Sequence, residues 1–303
     1  MRPYTEVAGS PTEPTPLLGL KCFRLAVAAI VALSLGRSAV AATCDRACLL
    51  QQATQFNRNM LAHTTGKIAL APAAEIRENT KAISLGASKW STVKQIRSEG
   101  VFTDPALGNV IEHVAAETDA GKIVYIGTRL KVVDGKITEV EINFDDRPEV
   151  NAKNLIPYDP LFNTIVPEGE RSTREQLERI ITSYFQGLTD HKPTEADYDP
   201  RCDRYHSGNR VTHNARNGVE NSGDVGCYES NLGPKSWGPA TETRIAVVDP
   251  ERGIVIGYSI LYYGESARRM QINEVFKILD GRIRMIDNIG LMEEGITSSG
   301  FTH

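Results

Sequence analysis

Two stretches of this chain carry the same turn signal, and that repetition constrains the fold more than any other feature. Thr128–Phe144 reads TRLKVVDGKITEVEINF and Arg268–Met292 reads RRMQINEVFKILDGRIRMIDNIGLM, each with an Asp-Gly pair between two apolar runs. Asp-Gly suits the tight turn of a β-hairpin because both residues tolerate positive φ. Aligned at that pair, Lys131 matches Lys277, Asp134 matches Asp280, Gly135 matches Gly281 and Ile137 matches Ile283. Such a recurrence implies two copies of one unit, each ending in this hairpin. A length of 303 residues agrees with two domains of about 150 residues.

Each unit opens with a helical pattern. In Cys44–His63, Leu49, Ala53, Phe56 and Met60 recur at helical spacing. Ala74–Leu85 reads as an irregular strand turning at Asn79, Ala87–Ser98 as a short helix, and Val110–Glu117, Lys122–Val133 and Lys136–Phe144 as strands. A three-residue loop at Val133–Gly135 sets Leu130, Thr128, Ile126 and Val124 opposite Thr138, Val140, Ile142 and Phe144, one nearly apolar face. Tyr125, Arg129, Lys131, Glu139, Glu141 and Asn143 share the other, which in an open sheet meets solvent and in a curved sheet lines a pocket. In the second unit Ser172–Glu175 reads as a capping box, followed by the stripe Leu177, Ile180, Ile181, Tyr184, Phe185 and Leu188. A polar insert over Thr189–Pro239 precedes strands at Thr241–Val248, Gly253–Tyr263, Met270–Leu279 and Arg282–Leu291. Helix, irregular segment and antiparallel meander, twice over, make the expected class α+β.

The N-terminus points to export. Lys21 and Arg24, an apolar run over Leu25–Leu35, and Ala39, Val40 and Ala41 describe a signal peptide with its cleavage site. The expected organisation is residues 1–41 as signal peptide with an N-terminal extension, 42–147 as the first unit, 148–170 as a Pro-containing linker and 171–303 as the second unit. Four cysteines remain after cleavage, which in an oxidising compartment favours two disulfides among three connectivities; we pair Cys44 with Cys48 and Cys202 with Cys227. The absence of any N-x-S/T sequon makes a bacterial periplasm the easier location than a eukaryotic secretory route. A net charge of −4 without charge blocks gives no electrostatic footprint for nucleic acid. No membrane partner is expected once the signal is removed, self-association is left open, and a small apolar or aromatic molecule is the expected ligand.

The segments Cys44–Leu49, Leu61–His63, Arg129–Glu141, Arg171–Leu177 and Val248–Val255 together resemble an uncharacterised SnoaL-like family of exported proteins within the nuclear transport factor 2-like superfamily. Two positions depart from the family pattern, Thr64 after His63 and His206 after the Cys202–Tyr205 segment. The resemblance implies two cone-shaped units, each a curved antiparallel sheet packed on a long helix around an apolar cavity. It also implies chemistry without a cofactor, of lyase, isomerase or dehydratase type, or else a non-catalytic binding or interaction module.

Candidate catalytic residues are those such a cavity would turn into acids and bases. Glu141 and Asp287 occupy equivalent places on the last strand of each unit, and a two-residue turn at Asp280–Gly281 sets Glu274 opposite Asp287 on one surface. His63 ends the first helix and is the alternative base; Tyr125 and Arg129 share a face with Glu141 and would stabilise negative charge, with an Arg129 salt bridge to Glu139 or Glu141 as the competing role. His113 reads as an ordinary strand residue. His191, His206 and His213 fall on one insert, but their spacing fits no standard metal site and a disulfide-held loop is preferred. No Walker A, dinucleotide-glycine, HExxH or GxSxG pattern occurs.

Overall fold

Asp45 accepts a hydrogen bond from the Cys48 N–H, and from there α1 runs over Arg46–Leu61 with Leu49, Ala53, Phe56 and Met60 buried. The computed structural model describes residues 44–147, 158–192, 197–213, 225–232, 237–263 and 268–301. All of them belong to one compact unit, Val40–His303. The expected signal peptide, residues 1–41, and residues 148–157 of the expected linker lie outside the described residues.

After α1 come β1 (Leu70–Glu78), β2 (Lys81–Ala82), β3 (Val93–Asp104), β4 (Asn109–Thr118), β5 (Ile123–Val133) and β6 (Lys136–Asp145), forming a sheet in the order β2-β1-β6-β5-β4-β3. Then follow α2 (Arg174–Asp190), β7 (Tyr198–His206), β8 (Asn209–Arg210), α3 (Cys227–Leu232), β9 (Trp237–Asp249), β10 (Ile254–Tyr263), β11 (Arg268–Leu279) and β12 (Arg282–Glu294). Their sheet has the order β8-β7-β12-β11-β10-β9. In each sheet one pair is parallel, β1 with β6 and β7 with β12, and the rest are antiparallel.

The expected α+β class, two cones each closed by a long helix, is corrected by this architecture. The described residues form two six-stranded sheets and only three short helices, so the protein is mostly β. The physical reason lies in the polar face of β5 and β6: it neither meets solvent nor lines a cone, but is buried against the other sheet. Arg244 of β9 pairs with Glu141 of β6, Gln271 of β11 donates to the same carboxylate at 3.1 Å, and Asn109 of β4 donates to the Ala246 carbonyl at 2.7 Å. Phe102, Ile111, Phe162, Val247, Ile256, Val275 and Met285 form an apolar cluster between the sheets. Helix α1 packs on the outer face of the first sheet through Leu49, Ala53 and Phe56, the last edge-on to Trp90, and α2 on that of the second through Leu177, Ile181 and Tyr184.

Local expectations are adjusted too. The helix expected over Ala87–Ser98 is a single 3-10 turn, Lys89–Thr92, before β3 begins. Ser88 accepts from the Trp90 N–H and Trp90 alone fills the core there, after which Val93 enters the sheet opposite Thr118. The capping box sits one residue later than expected, with Thr173 and Gln176 as the reciprocal pair. The polar insert contains β7, β8 and α3, and the Cys202–Cys227 disulfide ties β7 to α3. Cys44, just ahead of α1, is bonded to Cys48 in its first turn.

Both hairpins share one construction. Asp134 and Gly135, and likewise Asp280 and Gly281, have positive φ, so each turn has two residues, and the three-residue loop expected at Val133 is not formed. Four residues after each Asp the ladder skips one position, Thr138 in β6 and Arg284 in β12. These bulges reverse which face the rest of the strand presents.

Candidate functional site

The bulge at Arg284 decides where the acidic candidates go. Without it, Glu274 and Asp287 would oppose each other; with it, Asp287 lies opposite Val275, and Glu274 lies opposite Asn288. Directly opposed residues share a face. Asp287 therefore points between the sheets with Val275, while Glu274 points to α2, where its carboxylate accepts from the Tyr184 hydroxyl at 3.1 Å and from Arg204 at 3.2 Å.

Asp287 meets His113 of β4 across the sheet interface. Nδ1 of His113 lies 2.7 Å from the Asp287 carboxylate, and Nε2 lies 3.0 Å from the Asn273 carboxamide oxygen, while Asn273 Nδ2 donates to the Tyr258 hydroxyl at 2.7 Å. An ionised Asp287 only accepts, so it sets a proton on Nδ1. The amide behind Nε2 serves either state of the ring. Its oxygen accepts from an Nε2–H; turned over, its NH2 donates to a bare Nε2 and its oxygen takes the Tyr258 proton. The histidine comes from one sheet, and the residues that hold it, Asp287, Asn273 and Tyr258, come from the other.

A cavity of about 50 Å³ adjoins this pair, lined by His113, Asp287, Tyr125, Tyr158, Tyr205 and Ile289 among others. Its walls are mainly aromatic and aliphatic, with the Tyr158 and Phe162 rings 5.0 Å apart. The hydroxyls of Tyr125 and Tyr158 are buried without a hydrogen-bond partner. Burial, then the negative charges of Asp287 and Asp145, push the Tyr125 hydroxyl up to about 12. Burial followed by the Asp287 charge raises Tyr158 well above the phenol range; its hydroxyl lies near that carboxylate without a hydrogen bond of good geometry. Both stay protonated donors at neutral pH. Two glycines make room for them: a Cβ on Gly208 (φ 75°) would overlap the Tyr125 hydroxyl, and one on Gly100 would overlap the Tyr158 ring.

Of the sequence candidates, Tyr125 and Asp287 come together at this cavity. His63 is exposed after α1, with φ 53°, and is not among the residues that line it. Arg129 is buried and bound to Glu141 at 3.0 Å and Glu139 at 2.6 Å, the salt-bridge role weighed against catalysis. Glu141 has both oxygens occupied by Arg129, Arg244 and Gln271. The sequence marks His113 as an ordinary strand residue, which its place at the cavity corrects, and does not single out Tyr158. His113 alternates with Glu112 and Val114 in an apolar strand, and nothing local marks its face as buried on a second sheet. Tyr158 follows a Pro-containing segment without periodicity.

The family described as Domain of unknown function (DUF8021) matches residues 170–290. No curated protein matches the chain. Among solved structures, it is similar to a de novo designed protein with a curved β-sheet, at 18% identity and TM-score 0.29, covering 35% of this chain and 89% of that one. It is also similar to an NTF-2 like protein of unknown function from Burkholderia xenovorans LB400, at 13% identity and TM-score 0.26, covering 42% of this chain and 91% of that one. Likenesses of this order carry no argument about chemistry or ligand.

Proposed function

We propose that the cavity between the sheets binds a small, uncharged, largely aromatic or apolar molecule bearing one carbonyl or phenolic oxygen, and that Asp287 moves a proton on it. The observation that carries this reading is the convergence of two orphaned tyrosine hydroxyls with the Asp287–His113 pair at one apolar cavity. A buried hydroxyl without a partner gains a hydrogen bond when an acceptor enters. Tyr125 and Tyr158 then donate to the ligand oxygen as negative charge develops on it. Asp287 takes the proton, with the His113 Nδ1–H orienting its carboxylate. The reaction class is cofactor-independent isomerisation, dehydration or elimination.

Thermal unfolding with a panel of phenols and small cyclic ketones tests the reading, since a ligand at 100 times its Kd stabilises the native state by about 2.7 kcal/mol. A compound that raises the Tm and is converted should lose about 100-fold or more in turnover in Asp287→Asn. A folded protein that no member of the panel stabilises overturns the reading. The second reading, a binding module without turnover, predicts stabilisation but no product.

We further infer that the protein is exported. Two disulfides support this, because such bonds persist in oxidising compartments. Mass spectrometry of the exported protein should find its N-terminus at Ala42, and an intact N-terminus there would refute cleavage.

A further inference from the structure

A second candidate site lies on the other face of β4. Adjacent strand residues point to opposite sides of a sheet, so while His113 faces the inter-sheet cavity, Glu112 faces α1. There it lines a groove of about 170 Å³ between α1 and strands β3 and β4. Asn57 Nδ2 donates to one Glu112 oxygen at 2.7 Å. The other oxygen, Oε2, and Asn57 Oδ1 are buried with no partner, although Glu112 is 1% exposed and Asn57 7%. An orphaned carboxyl oxygen at this depth costs stability unless something is there to meet it.

The surroundings narrow what that is. Leu50, Leu61, Ile96 and Val101 make the walls apolar. Glu99 stands exposed at the groove without an ion-pair partner among the described residues, and its charge acts on Glu112; Arg58 is the one cationic side chain in the lining. We propose that this groove binds a small primary amine as its ammonium, the three N–H groups directed to Glu112 Oε2, Asn57 Oδ1 and the Glu99 carboxylate, and the hydrocarbon part lying along the apolar walls. An ammonium has three donors and no acceptor, which matches three oxygens.

Binding is linked to protonation. Burial foremost, with Glu99 adding to it, raises the Glu112 carboxyl well above the usual range. An arriving ammonium opposes that shift, so any proton that Glu112 carries leaves for solvent as the ligand binds. Charge is conserved, and no other reactant is involved.

Isothermal titration of the folded protein with benzylamine and n-butylamine, in two buffers of different ionisation enthalpy, tests this at neutral pH. The expected result is saturable 1:1 binding, with any accompanying proton movement directed from Glu112 to solvent. Glu112→Gln, which preserves shape and can still accept from Asn57, should weaken binding at least tenfold and abolish any proton release. Glu99→Gln, on an exposed side chain where folding is not at risk, should weaken binding several-fold. Absence of binding by wild type, or unchanged affinity in Glu112→Gln, would each overturn the proposal and leave Glu112–Asn57 as a pair that only fastens α1 to the sheet. The inter-sheet cavity is untouched by these substitutions, so this test is independent of the function proposed above.

Discussion

Glu141 joins the sheets with a single carboxylate, shared by Arg129 of its own sheet and by Arg244 and Gln271 of the other. Removing one member of a buried ionic cluster leaves the others charged and poorly solvated. Glu141→Gln should therefore destabilise by about 3 kcal/mol or more in denaturant unfolding. Glu112 makes a different prediction, about pH. Its folded-state value is raised above the ordinary 4.5, so the folded chain keeps a proton that the unfolded chain releases. The stability it contributes is complete below about pH 4.5 and is lost as pH rises toward the folded-state value. The Tm of Glu112→Gln should gain on that of wild type as the pH rises above about 4.5; a constant difference would show that Glu112 ionises alike in both states.

At the scale of elements, the repeated hairpin sets which residues can meet. In both copies the strand before the turn is held by a glycine of an earlier turn: Val132 N–H donates to the Gly108 carbonyl and Ile278 N–H to the Gly253 carbonyl, each at 2.7 Å. Gly253 has φ 61°, and a Cβ there would run into the Ile278 carbonyl oxygen, whereas a Cβ on Gly281 (φ 72°) meets nothing within 4 Å. Gly281→Ala should cost about 1–2 kcal/mol, the left-handed backbone penalty alone. Gly253→Ala adds a backbone clash and should cost about 2–5 kcal/mol. Equal losses in thermal unfolding would mean that the turn moves aside freely. The turns themselves were legible in the sequence because Asp-Gly carries its own backbone preference. The bulges at Thr138 and Arg284 were not, because a skipped residue in a ladder is selected by what packs on the two faces.

For the whole molecule, the two disulfides should differ in worth. Cys202–Cys227 spans 25 residues and Cys44–Cys48 only 4. Chain-entropy arguments give about 3–4 kcal/mol for the longer loop and about 2 kcal/mol for the shorter. Replacing Cys202 and Cys227 by Ala should lower the Tm more than replacing Cys44 and Cys48; the reverse order would show that the helix start, and not the insert, is where the molecule needs fastening. Helix α1, the stripe of α2 and the meander strands follow from periodicity and local chemistry, which a sequence states directly, whereas the cysteine pairing was one choice among three connectivities that the structure bears out. Asp287 and Tyr125 were found as chemically able residues, but His113, the partner of Asp287, was not, since it is 174 positions away. What the sequence determined by itself was each sheet: its turns, its alternation and its apolar side. Only the tertiary structure decided that the two polar sides face each other, because burying charge is favourable only when the complementary charge arrives from a distant strand, and no local pattern records that arrival.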